Sequence, residues 1–178
     1  EVPEKRRPVS RVTSRWIDCM ELEDRTLLSA TPLGGETLVN TTTGGNQVTG
    51  QTAPAGTNQS VAADGSGNYV VAWTGVDATG KGVFAQRFDA SGNAVGSEFQ
   101  VNTTTASDQQ DAVVVVNDSG AFIIAWSDHS SGNWDVRAQL YDSTGAAVGS
   151  EVLVHTKKAT DKPFPALAID DSGTAAVH

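Results

Sequence analysis

The stretch that decides the fold is YVVAW at residues 69–73, which returns 53 residues later as FIIAW at residues 122–126. Every position in both copies is apolar, and all but the alanine are aromatic or β-branched. A short run of this kind, bounded by glycine and polar residues, predicts a strand with both faces buried. Such a strand needs packed layers above and below its sheet.

The similarity extends well beyond these five positions. Residues 59–111 align with residues 112–164 without a gap, and 19 of the 53 pairs are identical. The same shift places Ser119 and Gly120 on Ser172 and Gly173. Self-similarity at a fixed period indicates tandem copies of one unit. The sequence therefore predicts repeat 1 at 59–111, repeat 2 at 112–164 and a truncated repeat 3 at 165–178, preceded by a separate N-terminal segment at 1–30 and a linker with one possible strand at 31–58.

Each copy is predicted to contain four strands, which in the first copy lie at 60–63, 69–73, 83–88 and 98–102. Four antiparallel strands in about 53 residues match a propeller blade in size. We therefore predict an all-β chain of tandem four-stranded antiparallel units, β-propeller-like blades in an incomplete ring. A ring needs at least about four blades. The chain is thus expected to be a fragment that meets further copies of the repeat in a longer chain, or to self-associate.

The N-terminal segment lacks the apolar core of a standard secretory signal. Basic residues are frequent in residues 5–15, and LEDRTLLSA follows at residues 22–30. This stretch resembles the LEPR-XLL type of N-terminal segment, which opens large surface or secreted proteins, notably in planctomycetes. The resemblance covers about nine residues. It implies that residues 1–30 are an N-terminal targeting segment for export, with an extracellular or cell-surface location. A short amphipathic helix capping the domain is the alternative interpretation.

The repeat itself also carries a resemblance. Its pattern runs from a glycine through the apolar strand and its Trp to V-x-A-Q-x-aromatic-Asp, and then to G-x-E-x-x-V-N-T. This pattern resembles the repeats of large bacterial surface proteins, over roughly residues 56–178. The resemblance implies a propeller-like β fold in a long extracellular protein and names no ligand. The repeat departs from the sialidase Asp-box and from the WD signature in the placement of its Trp.

Composition excludes some classes of partner. The formal net charge is −9, and an acidic surface repels phosphate backbones, so no nucleic-acid partner is expected. No apolar run approaches the 18 or more residues of a membrane helix, so no membrane span is expected. Cys19 is the single cysteine of the chain, so no internal disulfide is possible.

Residues identical between copies are best explained as scaffold, so chemistry is sought at unique positions. The loop Asp128–Asp135 offers Asp128, His129 and Asp135 as candidate metal ligands, although it lacks the spacing of a calcium loop. Trp134 is unique to its repeat and is the candidate ligand-binding residue, whereas Trp73 and Trp126 are expected in the core. No catalytic or cofactor-binding residue is predicted, because no nucleophile triad, zinc-helix motif or phosphate loop is present.

The expected function is that of an exported, non-enzymatic repeat protein with a structural, adhesion or binding role at the cell surface. Two alternatives stay open. The chain is part of an extracellular polysaccharide-binding or hydrolytic propeller, with polysaccharide as its partner, or it is a calcium-stabilised surface module. Calcium is the one candidate cofactor, mainly because long members of the family that the repeat resembles often occur with calcium-binding repeats. Asp64, Asp89, Asp118 and Asp142 also lie in turns near glycines. Hydrogen bonds from these carboxylates to turn amides explain the same pattern without a metal.

Overall fold

The computed structural model describes residues 38–42, 44–49, 59–156 and 164–177. The predicted targeting segment at residues 1–30, with Cys19, lies outside the described residues, as does most of the predicted linker. Within the described ranges the chain is all-β and has no helix. No helix that could span a bilayer therefore occurs in that part of the chain.

Ten strands form three antiparallel sheets. The first sheet contains β1 (Val61–Ala63), β2 (Tyr69–Val76), β3 (Lys81–Phe88) and β4 (Ala94–Gln100). The second sheet contains β5 (Gln109–Val116), β6 (Phe122–Asp128), β7 (Asp135–Tyr141) and β8 (Ala147–Thr156). The third contains β9 (Leu167–Ile169) and β10 (Ala175–Val177). In each sheet the spatial order follows the chain, and the described strands form no closed ring.

The buried central strands follow from their composition. All seven residues of β6 are buried, and β2 is buried at most positions. Both strands pair on each side, β2 with β1 and β3, and β6 with β5 and β7. β6 lies between two neighbouring strands and between two packed layers, and it buries all its side chains, which explains its continuous apolar run. Strands are confirmed at residues 69–73 and 122–126, and burial on both faces is confirmed for residues 122–126.

The outermost strand of each sheet begins earlier than the sequence indicates. A start at Glu98 is predicted for the first sheet, but β4 begins at Ala94, and β8 begins correspondingly at Ala147. The cause is a bulge opposite Gln86 and Gln139, where the pairing register shifts. Gly96 and Gly149 lie in these strands with φ of 76° and 70°. A glycine that suggests a turn in the sequence thus serves as a bulge residue within a strand.

The segment before the first sheet contributes little regular structure. Residues 38–42, where part of a strand was expected, are not in a strand. Val48 forms an isolated antiparallel bridge with Thr74, in which each amide donates to the other's carbonyl at 2.8 and 2.9 Å. This bridge extends the pairing of β2 at its C-terminal end.

Candidate functional site

An apolar layer joins the first two sheets face to face. The side chains of the first sheet are Ala62, Val70, Ala72, Val83, Ala85, Phe99 and Val101, and those of the second are Ala112, Val114, Val116, Phe122, Ile124, Trp126 and Tyr141. We call this side of the second sheet its near face. Burial of apolar area contributes roughly 25 cal/mol per Å², so this layer dominates the association of the two sheets.

The opposite side of the second sheet, its far face, is covered by the third sheet. Val113, Val115, Ile123, Ala125 and Ala138 form a separate buried cluster. The side chains packed against this cluster are Leu140, Val154, Leu167, Ile169 and Val177. The second sheet is therefore apolar on both faces and lies between two layers.

A glutamate connects the sheets at their edge. In the second sheet, Glu151 Oε2 accepts a hydrogen bond of 2.9 Å from the amide of Thr103, which follows β4 of the first sheet. Glu151 Oε1 accepts one of 3.0 Å from Thr104 Oγ1. Charge-assisted hydrogen bonds to backbone amides are among the strong ones. Glu151 thus fastens the loop that leaves the first sheet.

Glu98 makes the same kind of contact one sheet earlier. Its Oε2 accepts a hydrogen bond of 2.6 Å from the amide of Thr41, and its Oε1 accepts one from the Thr42 hydroxyl. Burial alone would raise the pKa of Glu98, but the hydrogen bonds from Thr42 and Thr41 outweigh it and lower the pKa below its usual value. Glu98 and Glu151 therefore both hold an Asn-Thr segment that precedes their own sheet.

A buried ion pair lies on the near face beside Glu151. Arg137 Nε donates to Asp128 Oδ2 at 2.5 Å, and Arg137 Nη1 donates to Glu151 Oε1 at 3.0 Å. The Asp128 side chain is 0% exposed. Its carboxylate also accepts hydrogen bonds from Gln109 Nε2 at 3.0 Å and from Ser130. A charge buried this deeply is tolerated because it is paired and fully hydrogen-bonded.

The three candidate metal ligands do not converge on one point. Asp128 is neutralised by Arg137, and His129 stacks on Trp134 with its Nδ1 3.4 Å from Ser107 Oγ. Asp135 is buried and accepts a hydrogen bond of 2.9 Å from Ser131 Oγ. Among the described residues there is no group of three or more His, Cys, Asp or Glu side chains placed to hold a metal ion.

The tryptophans on central strands are buried, and the one on a hairpin is half-buried. Trp126 is fully buried on the near face, and Trp73 is buried on the first sheet, where its Nε1 donates to Gln47 Oε1 at 3.0 Å. Trp134, the candidate ligand-binding residue, is half-buried on the β6–β7 hairpin and lies against the His129 ring, with centroids 4.6 Å apart. One face of its indole is therefore occupied within the chain.

The carboxylates of the turn aspartates accept hydrogen bonds from residues of their own turns. Asp64 accepts hydrogen bonds from the amides of Ser66 and Asn68 and from the Asn68 side chain, and Asp89 does the same with Ser91 and Asn93. The side-chain hydrogen bond from Asn68 is the largest cause that lowers the pKa of Asp64, and the one from Asn93 plays that part for Asp89. Asp142 and Asp170 have lowered pKa values for the same reason, led by Thr144 and Ser172.

Glu98, Glu151 and Arg137 are the residues that sequence reasoning missed. The signal for the glutamates was present, since both belong to the run AVGSE that occurs intact in both copies, at 94–98 and 147–151. A polar residue retained inside an apolar repeat points to a recurring hydrogen bond. Arg137 gave no such signal, because the aligned position in the first copy is Phe84.

The described surface offers shallow cavities rather than one deep cleft. A cavity of about 220 Å³ lies between the first two sheets and is lined by Asp64, Arg87, Val116 and Ser143 among others. A second, of about 330 Å³, lies on the far face of the second sheet. Binding sites for small molecules usually have about 300–1,000 Å³. Comparison with protein-family models, with curated proteins and with solved structures returned no match.

Proposed function

We propose that the chain is a non-enzymatic structural repeat module, exported to the cell surface, whose sheets are propeller-like blades of about 53 residues. In this proposal the buried polar groups serve to join one blade to the next, and the surface role is structural or adhesive. The N-terminal segment at residues 22–30 directs export. The proposal follows the resemblance of that segment and of the repeats to those of large bacterial surface proteins.

The observation that carries the structural part is the recurrence of one contact between layers. Glu98 and Glu151 occupy aligned positions in the two copies, and each accepts hydrogen bonds from an Asn-Thr segment that precedes its sheet. An enzyme gathers its unique polar residues in a cleft. Here Glu98 and Glu151 instead bind the segment that precedes their sheet, which supports a scaffold built by addition of units.

Aligned residues also occupy aligned places elsewhere. Gln86 Nε2 and Gln139 Nε2 each donate to the carbonyl of the next residue at 2.8 Å, inside the bulge of their sheet. The third sheet packs on the far face of the second sheet as the second sheet packs on the first. Its packed residues are Leu167, Ile169 and Val177, which align with Val114, Val116 and Ile124. These equivalences support translation of one unit along a stack.

A double-mutant cycle between the sheets tests the structural part. Glu151→Ala and Thr104→Val are expected to show a coupling free energy of about 1 kcal/mol in denaturant unfolding, because they remove the acceptor and the donor of one hydrogen bond. Glu151→Ala with Thr144→Val is the matched control, since the Thr144 hydroxyl donates to Asp142 within its own turn. A coupling of zero for the first pair would contradict the proposed connection.

Cell-surface exposure is tested on the natural host. The full-length product is expected in the extracellular or surface fraction, and its repeats are expected to be cleaved when intact cells are treated with protease. Deletion of residues 22–30 is expected to retain the product inside the cell. Recovery of the intact product from the cytoplasmic fraction, with the segment present, would contradict export.

A further inference from the structure

The far face of the second sheet is only partly covered. The third sheet covers one side of it, and the cavity of about 330 Å³ lies beside β10. We call this cavity the β10 groove, and its apolar lining includes Ile123, Ala138, Leu140, Val148, Val152 and Val177. Val148 and Val152 are 47% and 56% exposed. Adjacent exposed aliphatic side chains in a concave site indicate a docking surface.

The first sheet shows what covers the aligned surface when a full sheet is present. There Tyr141 lies at the end of β7. Its ring centroid is 5.4 Å from that of Phe99 and 4.7 Å from that of Phe122. Arg87 donates to the carbonyls of Ser143 and Thr144 in the turn after β7. The covering element is therefore the third strand of the next sheet with its following turn.

Among the described residues, no strand takes the corresponding place next to β10. β9 and β10 lie on the far face as β5 and β6 lie on the first sheet, but no strand among the described residues pairs with the second edge of β10. An edge strand presents free backbone amides and carbonyls to an added strand. The open edge and the apolar groove are adjacent. One added strand would therefore hydrogen-bond to the edge of β10 and also cover the groove.

We propose that the β10 groove binds a β-hairpin of the β7–β8 type, which adds antiparallel to β10 and places an aromatic ring over Val152. This inference rests on the proposed stacking of repeat units. Ala175 aligns with Phe122 and Val152 with Phe99, so smaller side chains leave room for the ring. Leu140 aligns with Arg87, so the contact with the partner's turn is apolar here.

The partner is a hairpin that is not already part of a complete sheet. In a second copy of this chain, β3 and β7 are each hydrogen-bonded on both edges, and release of either strand would break its sheet. A separate hairpin with the sequence V-x-A-Q-x-aromatic followed by an Asp-x-x-Gly turn can bind without release of a strand from an existing sheet. Its chemistry is that of a further repeat unit.

The test uses a fluorescently labelled peptide of residues 135–156 and the full 178-residue chain. Saturable binding is expected by fluorescence anisotropy, and a Tyr141→Ala peptide is expected to bind more weakly. Val152→Lys in the chain is expected to weaken binding at least about tenfold, because a charge would be buried in the groove. Leu153→Lys is the matched control, expected to change binding by less than about twofold.

The two substitutions are matched because Val152 and Leu153 are 56% and 53% exposed and lie on opposite faces of β8. Circular dichroism checks that both variants keep the fold. Absence of saturable binding, or equal weakening by both substitutions, overturns the groove. Self-association of the chain that Val152→Lys abolishes overturns the hairpin in favour of a second copy. If the peptide fails while Glu151 and Thr104 remain coupled, the groove proposal falls and the stacking proposal stands.

Discussion

Trp126→Ala is expected to lower the free energy of unfolding by about 3–5 kcal/mol, the range for a buried aromatic side chain replaced by alanine. Trp126 is 0% exposed and belongs to the apolar layer between the first two sheets. Its indole Nε1 is buried and has no hydrogen-bond partner among the described residues. The loss therefore arises from packing and from the cavity left behind. Urea unfolding followed by circular dichroism measures it.

Trp134→Ala is the control for this prediction. It removes the same side chain from the half-buried β6–β7 hairpin, where Trp134 stacks on His129. We expect a loss of about 1 kcal/mol or less, as for most surface substitutions. Equal losses for Trp126 and Trp134 would show that the layer between the sheets does not carry the stability assigned to it.

Arg137→Leu is expected to destabilise the chain by about 3–5 kcal/mol, the usual cost of leaving a buried charge without its partner. The guanidinium is the cation bound to the fully buried Asp128 carboxylate, and it also bonds to Glu151. Arg137 is therefore needed to compensate the buried negative charge of Asp128. Adding Asp128→Asn to Arg137→Leu removes the uncompensated charge, so the double variant is expected to regain about 1–2 kcal/mol. Thermal and urea unfolding of the three chains give these values.

Arg87→Leu is the matched control, because within the described ranges the Arg87 guanidinium donates to backbone carbonyls of an exposed turn and forms no ion pair. We expect a loss of about 1 kcal/mol or less. If the double variant is no more stable than Arg137→Leu, the cost does not come from the Asp128 charge and the ion pair has a different role.

The strands could be predicted because their signals are local. The apolar runs that contain Trp73 and Trp126 are continuous, and the turns after β3 and β7 carry Asp89 and Asp142 with a glycine three residues on. Side chains that pack on both faces leave this mark in the sequence. Strand bounds were less accurate at β4 and β8, where the bulge glycines resemble turn residues.

The partners in the contacts between sheets could not be predicted from periodicity, which marks the repeated glutamate but not the residues that bind it. Glu151 meets Thr103 and Thr104, which are 48 and 47 residues away in the chain. Arg137 meets Asp128 across a hairpin, and both positions differ from their aligned partners, Phe84 and Gly75. A repeat pattern reports what the copies share, so a buried pair that exists in one copy alone leaves no periodic signal.

Amide hydrogen exchange of the Trp126→Ala chain tests the central claim most directly, namely that the first two sheets are stable only as one packed unit. Ala72 lies in β2 and Ile124 in β6, and both belong to the layer between the sheets. The account predicts that the opening free energies of the two amides fall by the same amount, because the sheets open together. Protection that is unchanged at Ala72 while it falls at Ile124 would contradict it.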